Sequence, residues 1–105
     1  MTKVNLSLSA TAILQALTHG YKYGFDIMDV TGLPSGTVYP ALRRLEKAGV
    51  VESSWEDEAA AHKDQRPARK YYKLTGAGKA ALSEAIGRYR GLEGPLTRKT
   101  KPTTA

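Results

Sequence analysis

The chain contains no cysteine. That excludes a disulfide framework and any thiolate-bound zinc site. It holds only two histidines, at unrelated places, and no Ser-His-Asp arrangement is visible, so it does not read as an enzyme. No apolar run approaches the ~18 residues of a membrane span. The first stretch, MTKVNLSLSATAILQAL, lacks a strongly basic start and an uninterrupted apolar core, so no signal peptide is expected and the protein reads as cytoplasmic. There is no internal repeat. GAGK at 76–79 resembles the end of a phosphate-binding loop, but Lys73 stands where the first glycine belongs and Ala80 where Ser or Thr is required. Glu56, Asp57, Glu58, His62 and Asp64 are possible metal donors by type. They fall on what reads as a loop, without a second histidine, and a metal needs fixed geometry. No metal or cofactor is expected.

What the chain does have is unevenly placed positive charge. It carries 16 Lys/Arg against 10 Asp/Glu, net +6. Residues 1–61 hold 5 basic and 7 acidic residues, whereas residues 62–105 hold 11 and 3. A basic half beside a near-neutral half suggests a polyanionic partner such as nucleic acid. A solvated surface with a basic tail would give the same count.

With 105 residues, 41% of them hydrophobic, one compact domain with a modest core is expected. Ser9 is expected to cap a first helix that runs to His19, with Ile13, Leu14 and Leu17 on one face and Gly20 as its stop. A short second helix fits Tyr23–Thr31, ended by Gly32. A third runs from PSGTVYPALRRLE to Lys47–Ala48, with Gly49 after it. The pattern then changes to period two. Val50–Trp55 and Arg69–Leu74 read as strands, joined by a loop of about 13 residues. Thr75 caps a last helix reaching Leu92 or Glu93, stopped by Gly94-Pro95.

This order predicts a mainly α fold with a small antiparallel β-hairpin (α+β), a winged helix-turn-helix with a C-terminal dimerisation helix. The expected units are 1–74 for DNA binding, 75–94 for dimerisation and 95–105 as a disordered basic tail. In such folds the later helix of the pair enters the major groove.

Three segments carry a family resemblance: YGFDI at 23–27, GTVYPALRRLEKAGVV at 36–51 and RPARKYYKLTGAG at 66–78. With the apolar first helix they cover roughly residues 8–82, and they resemble the PadR-type transcriptional regulators. The resemblance implies a homodimeric repressor on a pseudo-palindromic double-stranded DNA operator. It also implies release by a small, often aromatic, effector. Family members often carry glycine where Gln65 stands here. A single helix after the wing resembles the short-tailed branch, in which some members stack a drug on a tryptophan of the last helix. The only tryptophan here is Trp55, on the first wing strand.

At 100° per residue, Val38, Ala41, Leu42 and Leu45 cluster on one face of the third helix. Gly36, Pro40, Arg43 and Lys47 face the other way, flanked by Thr37, Tyr39 and Arg44. Arg43 suits a guanine edge; Arg44, Lys47 and Tyr39 suit phosphates. Ser35 or Thr37 would cap the helix, and its first N–H groups would favour a phosphate. A plain solvated face built on Arg43, Glu46 and Lys47 is the alternative. In the wing, Lys63, Gln65, Arg66 and Arg69 are candidate DNA contacts, with Arg66 or Lys63 reaching the minor groove. Tyr71 and Tyr72 read as packing residues. On the last helix, Leu82, Ala85, Tyr89 and Leu92 form a short heptad seam with Ile86 beside it, and Leu6 and Leu8 would thicken that dimer interface. A winged scaffold that senses a small molecule or binds a protein without reading DNA is the second functional hypothesis.

Overall fold

A computed structural model describes residues 5–89 of the chain. The elements run α1 (Leu8–Thr18), α2 (Gly24–Thr31), α3 (Ser35–Lys47), β1 (Val51–Trp55), α4 (Glu58–Lys63), β2 (Lys70–Leu74) and α5 (Gly76–Arg88). The winged helix-turn-helix order is as expected, with differences at the starts of α1 and α3 and one in the wing.

Ser7, not Ser9, caps α1: its Oγ accepts from the Ala10 N–H at 3.1 Å. Ser9 falls inside the first turn, because Leu6 belongs to the core and pulls the helix start forward. Neither Ser35 nor Thr37 caps α3. Pro34 holds that position in an extended conformation, with no side-chain bond to the helix start. Its carbonyl accepts from both Thr37 (2.9 Å) and Val38 (3.0 Å). Proline, with φ already fixed near its extended value of −76°, sets the entry angle.

The 13-residue stretch expected as a loop contains a helix, α4. Asp57 caps it by accepting from the Ala59 N–H at 3.1 Å. Its far end closes as a Schellman motif: Arg66 N–H donates to the Ala61 carbonyl (3.2 Å) and Gln65 N–H to the His62 carbonyl (2.8 Å). Gln65 takes the left-handed backbone this closure needs, at φ +58°. A non-glycine residue thus holds a backbone conformation that glycine adopts most readily.

The hairpin pairs Val51 with Leu74 through to Trp55 with Lys70, antiparallel. Its β2 edge is covered by the α1–α2 connection: Tyr72 N–H donates to the Lys22 carbonyl at 2.9 Å, and Tyr23 bridges Tyr71. One core joins all parts. Ile13 and Leu14 of α1, Ile27 of α2, Val38 and Leu42 of α3 and Val50 before β1 are fully buried, and Leu82 and Ala85 of α5 join them. The helix set apart in the sequence as a dimerisation unit thus shares the hydrophobic core of the DNA-binding unit. Residues 90–94 and the tail 95–105 lie outside the described residues.

Two glycines from the quoted segments explain how closely the elements approach. A Cβ on Gly24 would lie 2.4 Å from Cε1 of Tyr39, so the Tyr39 ring rests on the bare start of α2. A Cβ on Gly78 would lie 2.0 Å from the Val50 carbonyl oxygen, so α5 docks against the backbone just before β1.

Candidate nucleic-acid interface

The α3 helix divides as its spacing predicts. Val38, Ala41, Leu42 and Leu45 are buried. Ser35, Gly36, Tyr39, Pro40, Arg43, Arg44 and Lys47 are exposed, and Thr37 is half-buried. The side chains of Arg43, Arg44 and Lys47 make no ion pair or hydrogen bond with another described residue. Glu46, the one acidic residue of α3, accepts from Ser53 Oγ at 2.6 Å. The outward face is cationic, and its one carboxylate is engaged by the hairpin. At its start the Ser35 and Gly36 N–H groups have no acceptor among the described residues. Those donors sit at the positive end of the helix dipole.

Pro40 lies on the exposed face, six residues past the cap. Its missing N–H leaves the Gly36 carbonyl without the usual helical bond, and no described residue lies within 4 Å of where a Gly36 side chain would start. Water can reach that carbonyl, which limits what the proline costs.

The wing's cations are of two kinds. Lys63 is exposed on α4 and makes no ion pair among the described residues. Arg66 instead grips Glu56 with both terminal nitrogens, at 2.5 Å to Oε1 and 3.1 Å to Oε2. Arg69 donates its backbone N–H to Glu56 Oε1 at 2.9 Å. The Arg69 guanidinium lies 3.5 Å from Oε2 and 4.1 Å above the Tyr23 ring. Tyr23 Oη donates to Glu56 Oε2 at 2.9 Å. The Arg66 fork, backed by the other donors and opposed by partial burial, holds the Glu56 carboxyl well below its usual range. The hydrogen bond from Tyr23 to Glu56, and then burial, raise the Tyr23 phenol. By sequence Glu56 is the first of three successive acids, Glu56-Asp57-Glu58, and nothing there marks it or Tyr23 for a role in the wing. Gln65 is exposed at the wing turn.

The five residues that could be metal donors by type do not converge. Glu56 is taken by arginines and Tyr23, Asp57 caps α4, and no group of three such residues that could hold a metal occurs among the described residues.

The expected seam is corrected in part. Leu82 and Ala85 face the chain's own core, and so does Leu6, because α5 packs on α1. Tyr89 is half-buried and donates through Oη to the Leu6 carbonyl at 2.8 Å; Arg88 joins at 3.0 Å. Leu8 is exposed and Ile86 half-buried; Leu92 lies outside the described residues. Ile86, Leu82, Leu17 and Leu74 floor an open groove of about 650 Å³, with Lys73 and Lys79 at its edge. No helix among the described residues is long and apolar enough to cross a membrane.

Comparison with known proteins agrees with this architecture. The model of the transcriptional regulator PadR-like family matches residues 13–84. An uncharacterised protein of Lysinibacillus sphaericus, "protein X", is 33% identical over 84 residues, covering 76% of this chain and 72% of that one. A PadR family transcription regulator from Clostridium difficile R20291 superposes with a TM-score of 0.70 at 26% identity, over 88% of this chain and 97% of that one. A PadR-like transcription factor from Bacteroides fragilis gives 0.66 at 29% identity, over 83% and 84%.

Proposed function

The chain belongs to the PadR-like family of transcriptional regulators, DNA-binding proteins and not enzymes, and from that premise we propose that it is a homodimeric repressor of a pseudo-palindromic operator, released by a small effector. The observation that carries the DNA reading is α3: its apolar face is fixed in the core while Arg43, Arg44 and Lys47 stand outward without an ion pair or hydrogen bond to another described residue. In this reading Arg43 reads a base edge. Arg44, Lys47, Tyr39 and the Ser35–Thr37 start hold phosphates, with Gly36 and Pro40 allowing close approach. Lys63, Gln65 and the outer edge of Arg69 meet the backbone at the wing. Arg66 reaches DNA only by giving up Glu56, so Lys63 is the better candidate for a groove.

Two copies would place two α3 helices about one DNA turn apart, ~34 Å, on a two-fold site. Leu8, Ile86, Tyr89 and Leu92 are the residues left for that pairing. The groove beside Ile86 supports effector release: its floor suits an aromatic ring, and Lys73 and Lys79 suit an acidic group on it.

Titration of the full chain onto labelled DNA from upstream of its own gene, against random duplex of equal length, tests the reading. Preferential binding is expected. Arg43→Ala should cost ~1–3 kcal/mol and relax preference at one position. Lys63→Ala should weaken all sequences alike. Equal affinity for random duplex would overturn sequence-specific repression and favour the alternative of a sensing module on the same scaffold.

A further inference from the structure

We propose that Glu56 and Tyr23 are positioning residues for DNA binding: together they lock the wing to the helix-turn-helix, so that a carboxylate in the DNA-binding region raises affinity for DNA. This rests on the DNA reading above and names the device that sets its geometry.

The contacts form one connected path. Arg66 lies just past the turn that closes α4, and its fork ends on Glu56. Glu56 follows the last residue of β1 and is only 14% exposed at its side chain. On its other side it accepts the Tyr23 hydroxyl. Tyr23 is the cap residue of α2. The next residue, Gly24, carries the Tyr39 ring of α3. The wing helix is thus tied through two side chains to the element that seats the recognition helix. Arg69 closes the path a second time, through its backbone N–H on Glu56 and its guanidinium over Tyr23. Two-stranded ribbons hold their orientation weakly by themselves. A charge-assisted bond network of this kind supplies the stiffness.

Charge counting predicts the opposite effect. Glu56→Gln removes a negative charge and loosens Arg66, so bulk electrostatics expects tighter binding and a salt dependence at least as steep. If the network positions the wing, the variant binds more weakly. Tyr23→Phe separates the two views further, since it changes no charge and removes only the hydroxyl.

The test is fluorescence anisotropy of the full-length protein on its own upstream DNA across a salt series, with hydroxyl-radical footprints of each complex. Wild type, Glu56→Gln, Tyr23→Phe and the double variant are compared, each first checked for cooperative melting. Both single variants should bind about five- to tenfold more weakly. Their log–log salt slopes should fall by about 0.9 for each wing phosphate lost. Protection should fade at the wing's outer positions while the central α3 protection stays, and the double variant should be no worse than the singles. A merely structural defect would instead fade all protection together and would overturn the proposal. So would a Glu56→Gln protein that binds as tightly as wild type or tighter, or a Tyr23→Phe protein with unchanged affinity and footprint. A wild-type protein that binds no duplex would overturn the DNA reading itself, and this inference with it.

Discussion

Alanine in place of glycine should act with opposite sign at two positions of α5. At Gly78 the new Cβ would fall 2.0 Å from the Val50 carbonyl oxygen and 2.9 Å from Leu74 Cδ2. Ordinary contact begins well beyond that, so the helix must move more than an ångström off the hairpin. The carbonyl it meets also accepts the Thr75 N–H at 3.1 Å, and Thr75 Oγ1 accepts the Gly78 N–H at 3.0 Å. Movement therefore strains the joint between hairpin and helix as well as the packing. Overpacking costs about 1–3 kcal/mol, and a weakened hydrogen bond about 1. Better helix propensity returns 0.5–1, roughly. The net is a loss of about 2–3 kcal/mol. At Gly87 nothing among the described residues lies within 4 Å of the new atom, so only the propensity gain of about 0.5–1 kcal/mol remains. For a domain of this size each kcal/mol moves Tm by about 4–8 °C. Gly78→Ala should then melt some 10–20 °C below wild type and Gly87→Ala a few degrees above it, by circular dichroism at one protein concentration. Equal melting of the two variants would refute the close approach of α5 to the hairpin.

Further outcomes follow from the same contacts. Pro40→Ala restores the bond to the Gly36 carbonyl and should stabilise by about 1–2 kcal/mol in urea unfolding, less than the full helix penalty because the unfolded chain gains freedom; a fall in stability would mean that the proline shapes α3. Gln65 holds a left-handed backbone, so Gln65→Gly should slow hydrogen exchange of the α4 amides and Gln65→Val should speed it, the two differing by about 1–2 kcal/mol. Because the folded Glu56 carboxyl is held below its usual 4.5, its stabilisation is complete above that value and drains as pH falls below it; the Tm gap between wild type and Glu56→Gln should be widest near neutrality and narrow under acid.

Much of the fold could be read from spacing alone. The 3.6-residue period of α3 survives a proline because Val38, Ala41, Leu42 and Leu45 all reach the core. Period two was visible in the hairpin. Helix α4 was missed although its local signals were present: an aspartate cap, a glutamate in the first turn, three alanines, and His62 and Lys63 at the end. Six residues between strands read as a loop by length, and only Ala61 is buried to anchor them. The apolar pattern of α5 was ambiguous for a different reason. A heptad pattern states that a face is apolar, not what covers it. Leu82 and Ala85 meet α1 and the hairpin, because Gly78 lets the helix come close enough.

The exposure of the candidate contact residues was legible where side chains project from a regular helix and not where they fold back. Arg43, Arg44 and Lys47 needed only a helical wheel. In the wing, Arg66 and Lys63 look alike in sequence, yet one is bound to Glu56 and the other stands in solvent. Counting both toward a phosphate footprint overstates it, since a paired guanidinium releases little counterion atmosphere from DNA. The same pairing reverses the meaning of Glu56. By charge it opposes DNA; by position it organises two arginines and a tyrosine beside the recognition helix. Sequence could not decide between those roles, because the partner that turns repulsion into positioning, Tyr23, lies 33 residues away.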